Sequence, residues 1–567
     1  MQQQLDASVT VKSPAITISS QVSLEKPEPD SRPVSDGALE SAVKPEPEWK
    51  PTTQEFLIML SLALVSLMIA LDANIIITSL GAVTNSLHGS TTGTFWIGTA
   101  YLLTCAVTMP FTAALSDIFG RSICLLCSLA IFTVGTVFCA IAQTLKMMLI
   151  GRSIQGIGGG GIIIIGLVVF TDIVPLRFRS KYYGIIQGAW ALGTCLGPII
   201  GGLFVTRTTW RWIFYIMFPF CGIGFATIPF LLTLKPREES MREKLLRVDW
   251  LGGFLFISSS TALLIAVSWG GSMFAWGSWR TILPLILGVV GLVATGFWER
   301  FGAREPFLRH SLFHCPSAFA AYAGATLQGF LLYGALYYGP LYFMAERLVS
   351  PVQTGINMIT TSVSLIPASI AVGVAITRLN HFRWAIWSGW TITTISTAAI
   401  CAWGVNTPTA AWAVNLLGLG LGHGLVLNSQ NFATQAIALS RDEGAAAAMY
   451  AFLRSFGMAL GVGVGASVFQ NVFAMRLGAM GLPTDLANKA EQLIFELHKR
   501  PAGDEFRNKV LECYAGGLRG VFAMYAGVAL LAGLLSLGIR HFDLNKELST
   551  DHTLEETGLS KRLNGAV

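Results

Sequence analysis

An all-α, polytopic membrane fold follows from three observations. Charged residues make up only 12% of the 567-residue chain, about half the ~25% usual in soluble proteins. Hydrophobic residues make up 53%, and mean hydropathy is +0.59. Apolar runs of about 20 residues, the length that crosses a bilayer, recur from Phe56 almost to the C-terminus.

Taken in order, the runs fall near 56–80, 93–115, 122–143, 147–170, 183–205, 212–234, 250–270, 279–298, 317–343, 353–377, 384–404, 409–437, 444–473 and 519–539. That gives about fourteen transmembrane helices. The two near 250–298 are the least patterned, with few polar residues and no glycine-rich motif. Residues 1–54 are polar and rich in Pro, Glu and Ser. They carry too little apolar area to offset ordering entropy, so a disordered cytosolic tail is expected. No cleavable signal peptide is visible, and the run from Phe56 serves as the insertion signal.

The Lys/Arg distribution orients the spans. With the N-terminal tail in the cytosol, the inner loops hold Arg121, then Arg177, Arg179 and Lys181, a cluster from Lys235 to Arg247, then Arg300, Arg304, Arg309, Arg378, Arg383 and Arg441. The short outer loops hold Lys146, Arg207, Arg211, Arg280 and Arg347. The long basic segment 474–518 is expected outside, with LANKAEQLIFEL as an amphipathic helix, and an even span count returns a short tail, 541–567, to the cytosol. A net charge of +6 spread this way is a topology signal and not a nucleic-acid surface.

Other chemistries find no support. The nine cysteines lie mostly within apolar runs and form neither a disulfide framework nor a zinc pattern. Cys124-x-x-Cys127 sits in a membrane-length run, without the soluble setting redox chemistry needs. No nucleophile–base pair, metal cluster or G-x-x-x-x-G-K-[ST] loop appears, so an enzyme and ATP coupling are disfavoured and no cofactor is implied. The glycines from Gly158 to Gly161 lack the strand and lysine of a phosphate cradle and read as helix packing.

Two intramembrane charges demand a role. A charge near the bilayer midplane costs roughly 2.5–3.5 kcal/mol on insertion scales, so it normally faces a cavity or a partner. Asp72 is the candidate proton carrier, with Arg152 tuning it. The alternative is a static pair locking span 1 to span 4, with Arg152 and Gln155 as a packing node. Span 12 is unusually polar (LGLGLGHGLVLNSQNFATQ), and its His423 titrates near neutrality, as a second proton site or as a hydrogen bonder between helices. Asn74, Gln155, Trp190, Gln328, Tyr337, Asn428 and Arg454 are the candidate lining of a substrate cavity suited to flat apolar ligands. At the inner end of span 2, Gly120 permits a tight turn. Asp117 and Arg121 supply contacts that would hold the cytosolic side shut, simple capping being the plainer reading. In span 5, Gly193, Gly197 and Gly201 recur every four residues, with Gly202 beside them and Pro198 freeing one backbone bond, which reads as a hinge and seal.

Five segments carry a family resemblance. They are LDANIIITSL in span 1, FTAALSDIFGRS after span 2, LIGRSIQGIGGG in span 4, GTCLGPIIGG in span 5 and TWRWIFYIMFP before span 6. In order and position they resemble the major facilitator superfamily, and within it the fourteen-span drug:proton antiporters of the fungal multidrug or toxin efflux type. Ala113, Ile118 and Ser122 depart from that loop signature, as does Gly81 from the span 1 motif. The resemblance implies two six-helix bundles, at 55–235 and 301–540, joined by two linking helices at 236–300, around a cavity with alternating access. It also implies a monomeric, proton-coupled exporter of small amphipathic compounds (drugs, toxins or secondary metabolites). The expected place is the cell membrane with both termini cytosolic, the vacuolar membrane being an alternative. Uptake or exchange of a nutrient or iron chelate, and a non-transporting sensor, remain alternative functions.

Overall fold

The structure, a computed structural model, describes residues 49–76, 79–87, 91–232, 240–271, 273–501 and 503–544. The expected N-terminal tail lies outside the described residues except near its end, as does the C-terminal tail beyond residue 544. The long helices among the described residues are α1 (Thr53–Ile75), α2 (Thr91–Phe119), α3 (Arg121–Ala140), α4 (Leu145–Ile173), α5 (Leu176–Arg207), α6 (Trp212–Leu231) and α7 (Trp250–Trp269). They continue with α8 (Trp279–Phe301), α9 (Pro316–Leu341), α10 (Pro351–Leu379), α11 (Arg383–Ile400), α12 (Thr409–Ile437), α13 (Glu443–Ala479) and α14 (Glu505–Ser536).

Thirteen of these are long and apolar enough to cross a membrane; α11 is the exception. It has 18 residues and carries Arg383, three tryptophans and several hydroxyls, among them those of Thr391, Thr394 and Thr397. Each of those hydroxyls donates to a carbonyl one turn earlier, Thr391 to Trp387 at 2.9 Å, Thr394 to Trp390 at 2.8 Å and Thr397 to Thr393 at 2.7 Å. Those three hydroxyls are thereby satisfied within the helix, which is what an apolar surround requires, whereas Thr393 Oγ1 is buried with no hydrogen-bond partner among the described residues.

Local signals explain several ends. Thr52 and Glu55 form a capping box at the start of α1. Gly120 joins α2 to α3 with φ of +101°, a conformation side chains with a Cβ rarely adopt. Between α6 and α7, the short helix Met241–Arg247 begins with a Ser240–Glu243 capping box. Those hydrogen bonds hold the Glu243 carboxyl below the usual range.

The packing falls into two sets. In the first, α1 lies against α5 and α6, and α4 against α2 and α3; in the second, α9 packs on α13, α12 on α10 and α11, and α14 on α11 and α13. The sets meet along two seams, α5 with α10 and α2 with α13. The α7–α8 pair covers the second seam, where Leu264 of α7 packs with Leu103 and Val107 of α2 and Ala459 of α13. Helix α8 touches mainly α7 and leaves Ile286, Leu287, Val290 and Phe297 exposed. It faces lipid and not a cavity, so its sequence has no pattern to show.

Three boundaries differ from the sequence reading. Helix α5 begins at Leu176, so Arg177, Arg179 and Lys181 lie in its first turns and not in a loop. Helices α13 and α14 run to Ala479 and from Glu505, leaving 480–504 as the connection where 474–518 was expected. At 1.5 Å per residue α14 is about 48 Å long, well beyond the ~30 Å hydrocarbon core. Its first turns are therefore free to carry Arg507, Lys509 and Glu512 while burying Val510, Leu511 and Tyr514. The expected amphipathic helix is present as Ala490–Lys499, with Leu493, Ile494 and Leu497 buried.

Close approach of α13 to α9 tests this packing. A Cβ on Gly461 would collide with the Phe330 carbonyl of α9, whereas Gly296 on α8 faces open space. Gly461→Leu should cost at least about 1–3 kcal/mol and lower the apparent Tm of the detergent-solubilised protein, with Gly296→Leu unchanged. Equal Tm values for the two variants would contradict the packing described.

Candidate functional site

The site has three layers. The first is a dry polar node where α1, α3 and α4 meet. Asp72 and Arg152 are 1% and 0% exposed. Arg152 Nη1 donates to Asp72 Oδ2 at 2.8 Å and to Gln155 Oε1 at 2.7 Å. Gln155 Nε2 donates to Asp72 Oδ1 at 2.8 Å and to Thr136 Oγ1 at 3.0 Å. Arg152 Nε reaches the Ile97 carbonyl at 3.2 Å, and the guanidinium lies 4.3 Å from the centre of the Tyr101 ring. The glycines of α4 make this possible: Cβ atoms on Gly158 and Gly160 would collide with the backbones of α3 and α2.

The second layer is a central cavity of about 70 Å³ lined by α1, α2, α4 and α5 from one set and α9 and α13 from the other. Tyr101 belongs to both layers, stacked on Arg152 and lining the cavity. Trp190, Tyr183 and Tyr333 supply flat walls, and Arg454 reaches in from α13. The volume is far below the ~300–1,000 Å³ of drug-sized pockets, so the cavity as it stands is too small to hold a drug-sized molecule.

The third layer closes one end. Beneath the cavity Tyr183 of α5 packs between Phe170 of α4 and Phe432 of α12, at centroid distances of 5.2 and 5.8 Å. One turn beyond, Arg179 joins the two helix sets. Its Nη1 pairs with Glu443 Oε2 at 2.7 Å and Gln435 Oε1 at 2.9 Å, while Nε and Nη2 donate to the Val174 and Thr171 carbonyls. Arg309 ties Asp442 at 2.7 Å and Asp117 at 3.6 Å, and Arg121 pairs with Asp117 and, at 3.0 Å, with Asp172. Asp117, Arg121, Asp172 and Arg309 border a polar vestibule of about 280 Å³ whose described lining shares no residue with the central cavity. At the opposite end α5 and α10 stay in contact, Pro198 against Gly355 and Gly202 against Val352.

The structure brings together Asp72, Arg152 and Gln155 in the node, Trp190 and Arg454 at the cavity, and Asp117 with Arg121 at the ionic seam. It places other expected residues elsewhere. Asn74 bonds the Ala70 carbonyl and Thr194 Oγ1 at the α1–α5 contact. There Gly193 and Gly197 press against α1, while Gly201 is buried on the same helix. Gln328 is fully buried and holds Arg454 Nε at 2.9 Å. Tyr337 is half-buried beside Tyr338. Asn428 bonds the carbonyls of Ser369 on α10 and Ser180 on α5, stitching the seam. His423 is fully buried and its ring nitrogens have no hydrogen-bond partner among the described residues. Sequence reasoning missed Tyr101, Thr136, Glu443, Asp442 and Phe170. Arg179 and Arg309 were visible only as orientation charges, because their partners lie more than 130 residues away.

The description "Major Facilitator Superfamily" belongs to the sequence profile that matches residues 62–462. The chain is 36% identical over 530 residues to MFS transporter L2 of Phoma sp., covering 92% of this chain and 88% of that protein. It is 34% identical over 525 residues to MFS efflux transporter aclA of Aspergillus oryzae (91% and 95% covered). It is 32% identical over 540 residues to Efflux pump FUS6 of Gibberella fujikuroi (93% and 96% covered). Among solved structures, the human organic anion transporter MFSD10 is similar with a TM-score of 0.54 at 15% identity (85% of this chain and 99% of that one), a likeness of fold alone.

Removing one partner of a buried pair costs about 3–5 kcal/mol because the other charge stays uncompensated. Arg152→Met should therefore sharply reduce monodisperse protein after mild heating, and Asp72→Asn combined with Arg152→Met should recover much of it. A double variant as unstable as the single one would argue against the pair. At the seam, Glu443→Gln leaves Arg179 without its carboxylate. In a background lacking the other cysteines, alkylation of cavity-lining Cys105 by a reagent applied at the Arg179–Glu443 end should rise several-fold, and an unchanged rate would argue against a gate.

Proposed function

We propose that this chain, a membrane transporter that belongs to the Major Facilitator Superfamily, exports small amphipathic organic compounds in exchange for protons. It is not an enzyme; like other members of the superfamily it handles small molecules. Export is supported by relatives that carry "efflux" in their names and by a central cavity with apolar and aromatic walls.

Proton coupling rests on one observation: Tyr101 is shared between the Asp72–Arg152 node and the cavity. A proton on Asp72 removes the charge that fixes Arg152. The guanidinium is then free to shift against Tyr101, and the α1–α4 contact loosens. Substrate in the cavity and a proton on Asp72 would thus act on the same side chain from opposite faces, which is the requirement for exchange. Helices α1–α6 and α9–α14, close to the expected 55–235 and 301–540, would rock about the α5/α10 and α2/α13 seams, with the α7–α8 pair, close to the expected 236–300, bracing the second. Opening towards the Arg179–Glu443 end requires the ionic and aromatic layers to part. The Lys/Arg bias supports a cytosolic position for that end and for both termini, and the reading is of a monomer in the cell membrane.

The test is efflux of a panel of fluorescent amphipathic dyes from energised cells, for wild type and Asp72→Asn, with and without a proton uncoupler. Loss of export in the variant and with uncoupler, at equal amounts of folded protein, is the expected result. Export that persists in Asp72→Asn but stops with uncoupler would reduce the node to a static brace and move the search to His423. If no dye leaves under any condition, export of amphipathic compounds is the wrong reading.

A further inference from the structure

We infer that the central cavity takes an amphipathic organic anion, with Arg454 as the group that receives its charge. The inference rests on the export reading above and adds the substrate class to it.

The argument begins with an imbalance. Arg121, Arg152 and Arg179 are each buried and each has a carboxylate within 3.0 Å. Arg454 is half-buried, lines the central cavity and forms no ion pair among the described residues. Among the described residues it is the one ionic side chain in that lining. A cation held away from bulk water without a counter-charge is costly, and the cost falls when an anion enters beside it.

The arginine is also aimed. Its helix is wedged against α9, where a Cβ on Gly329 would collide with the Arg454 carbonyl and one on Gly457 with the Thr326 carbonyl. Gln328 Oε1 accepts from Nε at 2.9 Å, which leaves the terminal fork of the guanidinium available. That fork matches the two oxygens of a carboxylate or sulfonate. One further donor in the cavity wall, Tyr101 Oη, is buried without a hydrogen-bond partner among the described residues. Leu62, Ile69, Leu102, Trp190 and Met458 complete an apolar surround for the rest of the molecule. A cationic amphiphile would meet repulsion at Arg454 with no carboxylate in the lining to offset it.

The experiment uses the full chain in phosphatidylcholine vesicles under an imposed proton gradient. The probes are 8-anilinonaphthalene-1-sulfonate and N-phenyl-1-naphthylamine, which share one ring skeleton and differ by the sulfonate, with rhodamine 6G as the cation. Wild type should favour the sulfonate in kcat/KM. Arg454→Gln should lower the sulfonate-to-neutral ratio by about tenfold or more, as loss of a charge-assisted hydrogen bond implies. Arg454→Lys should retain part of the preference, and it decides the matter if the glutamine variant fails to fold. A wild type that prefers the neutral or cationic probe, or a ratio unmoved by both substitutions, overturns the anion assignment and leaves export standing. Wild type moving none of the three overturns both. In a second arm, phosphatidic acid is added to the vesicles. If it abolishes sulfonate transport in wild type, the arginine serves a lipid phosphate and the solute assignment falls.

Discussion

The burial of the Asp72–Arg152 pair constrains everything around it. Two opposite charges out of water repay their desolvation only when geometry is good and the remaining donors and acceptors are met. Here Asp72 accepts through both oxygens, and Gln155 serves as donor to one and neighbour to the other's partner. That arrangement needs α1, α3 and α4 close enough for short bonds, and α4 can come that close only because its glycines lack side chains. The glycine row and the charges are therefore one device. Neither makes sense in a membrane without the other.

The ionic seam obeys different rules. Its members link segments far apart in the chain, and Arg309 and Asp117, each more than a third exposed, border a polar vestibule. Such a pair exchanges its protein partner for water at modest cost, so it suits a contact that must break, whereas Arg179–Glu443 and Arg121–Asp172 are buried. The node is fully dry and does not have that freedom unless its charge changes. Under the proposed function, the seam is the lock that parts mechanically and the node the one that yields to protonation. The cavity lies between them, in contact with the first through Tyr183 and the second through Tyr101.

Most of the fold was legible in the sequence, since composition and apolar run length report directly on the membrane. The intramembrane charges pointed to Asp72, Arg152 and Gln155 because polarity is expensive there. Polarity in α12 was misleading in detail. Asn428, Gln430 and Gln435 spend their amides on α10, α9 and Arg179, and none lines the central cavity. A polar side chain in a span signals a partner, and sequence alone does not say whether that partner is a helix or a ligand. Tyr101 and Glu443 gave no signal at all, one looking like an interfacial aromatic and the other like a cap.

The two halves repeat one packing device and differ at the position that matters. On α5, Gly193, Gly197 and Gly201 follow one another at four-residue spacing, the first two pressed on α1; on α13, Gly457, Gly461 and Gly465 do the same, the first two against α9. Three residues before the first glycine of each row stand Trp190 and Arg454, and both line the cavity. The same close approach thus presents an aromatic plane from one half and a guanidinium from the other. Since the backbone device is shared, the anion assignment proposed above makes selection a matter of the side chain carried there and not of the fold.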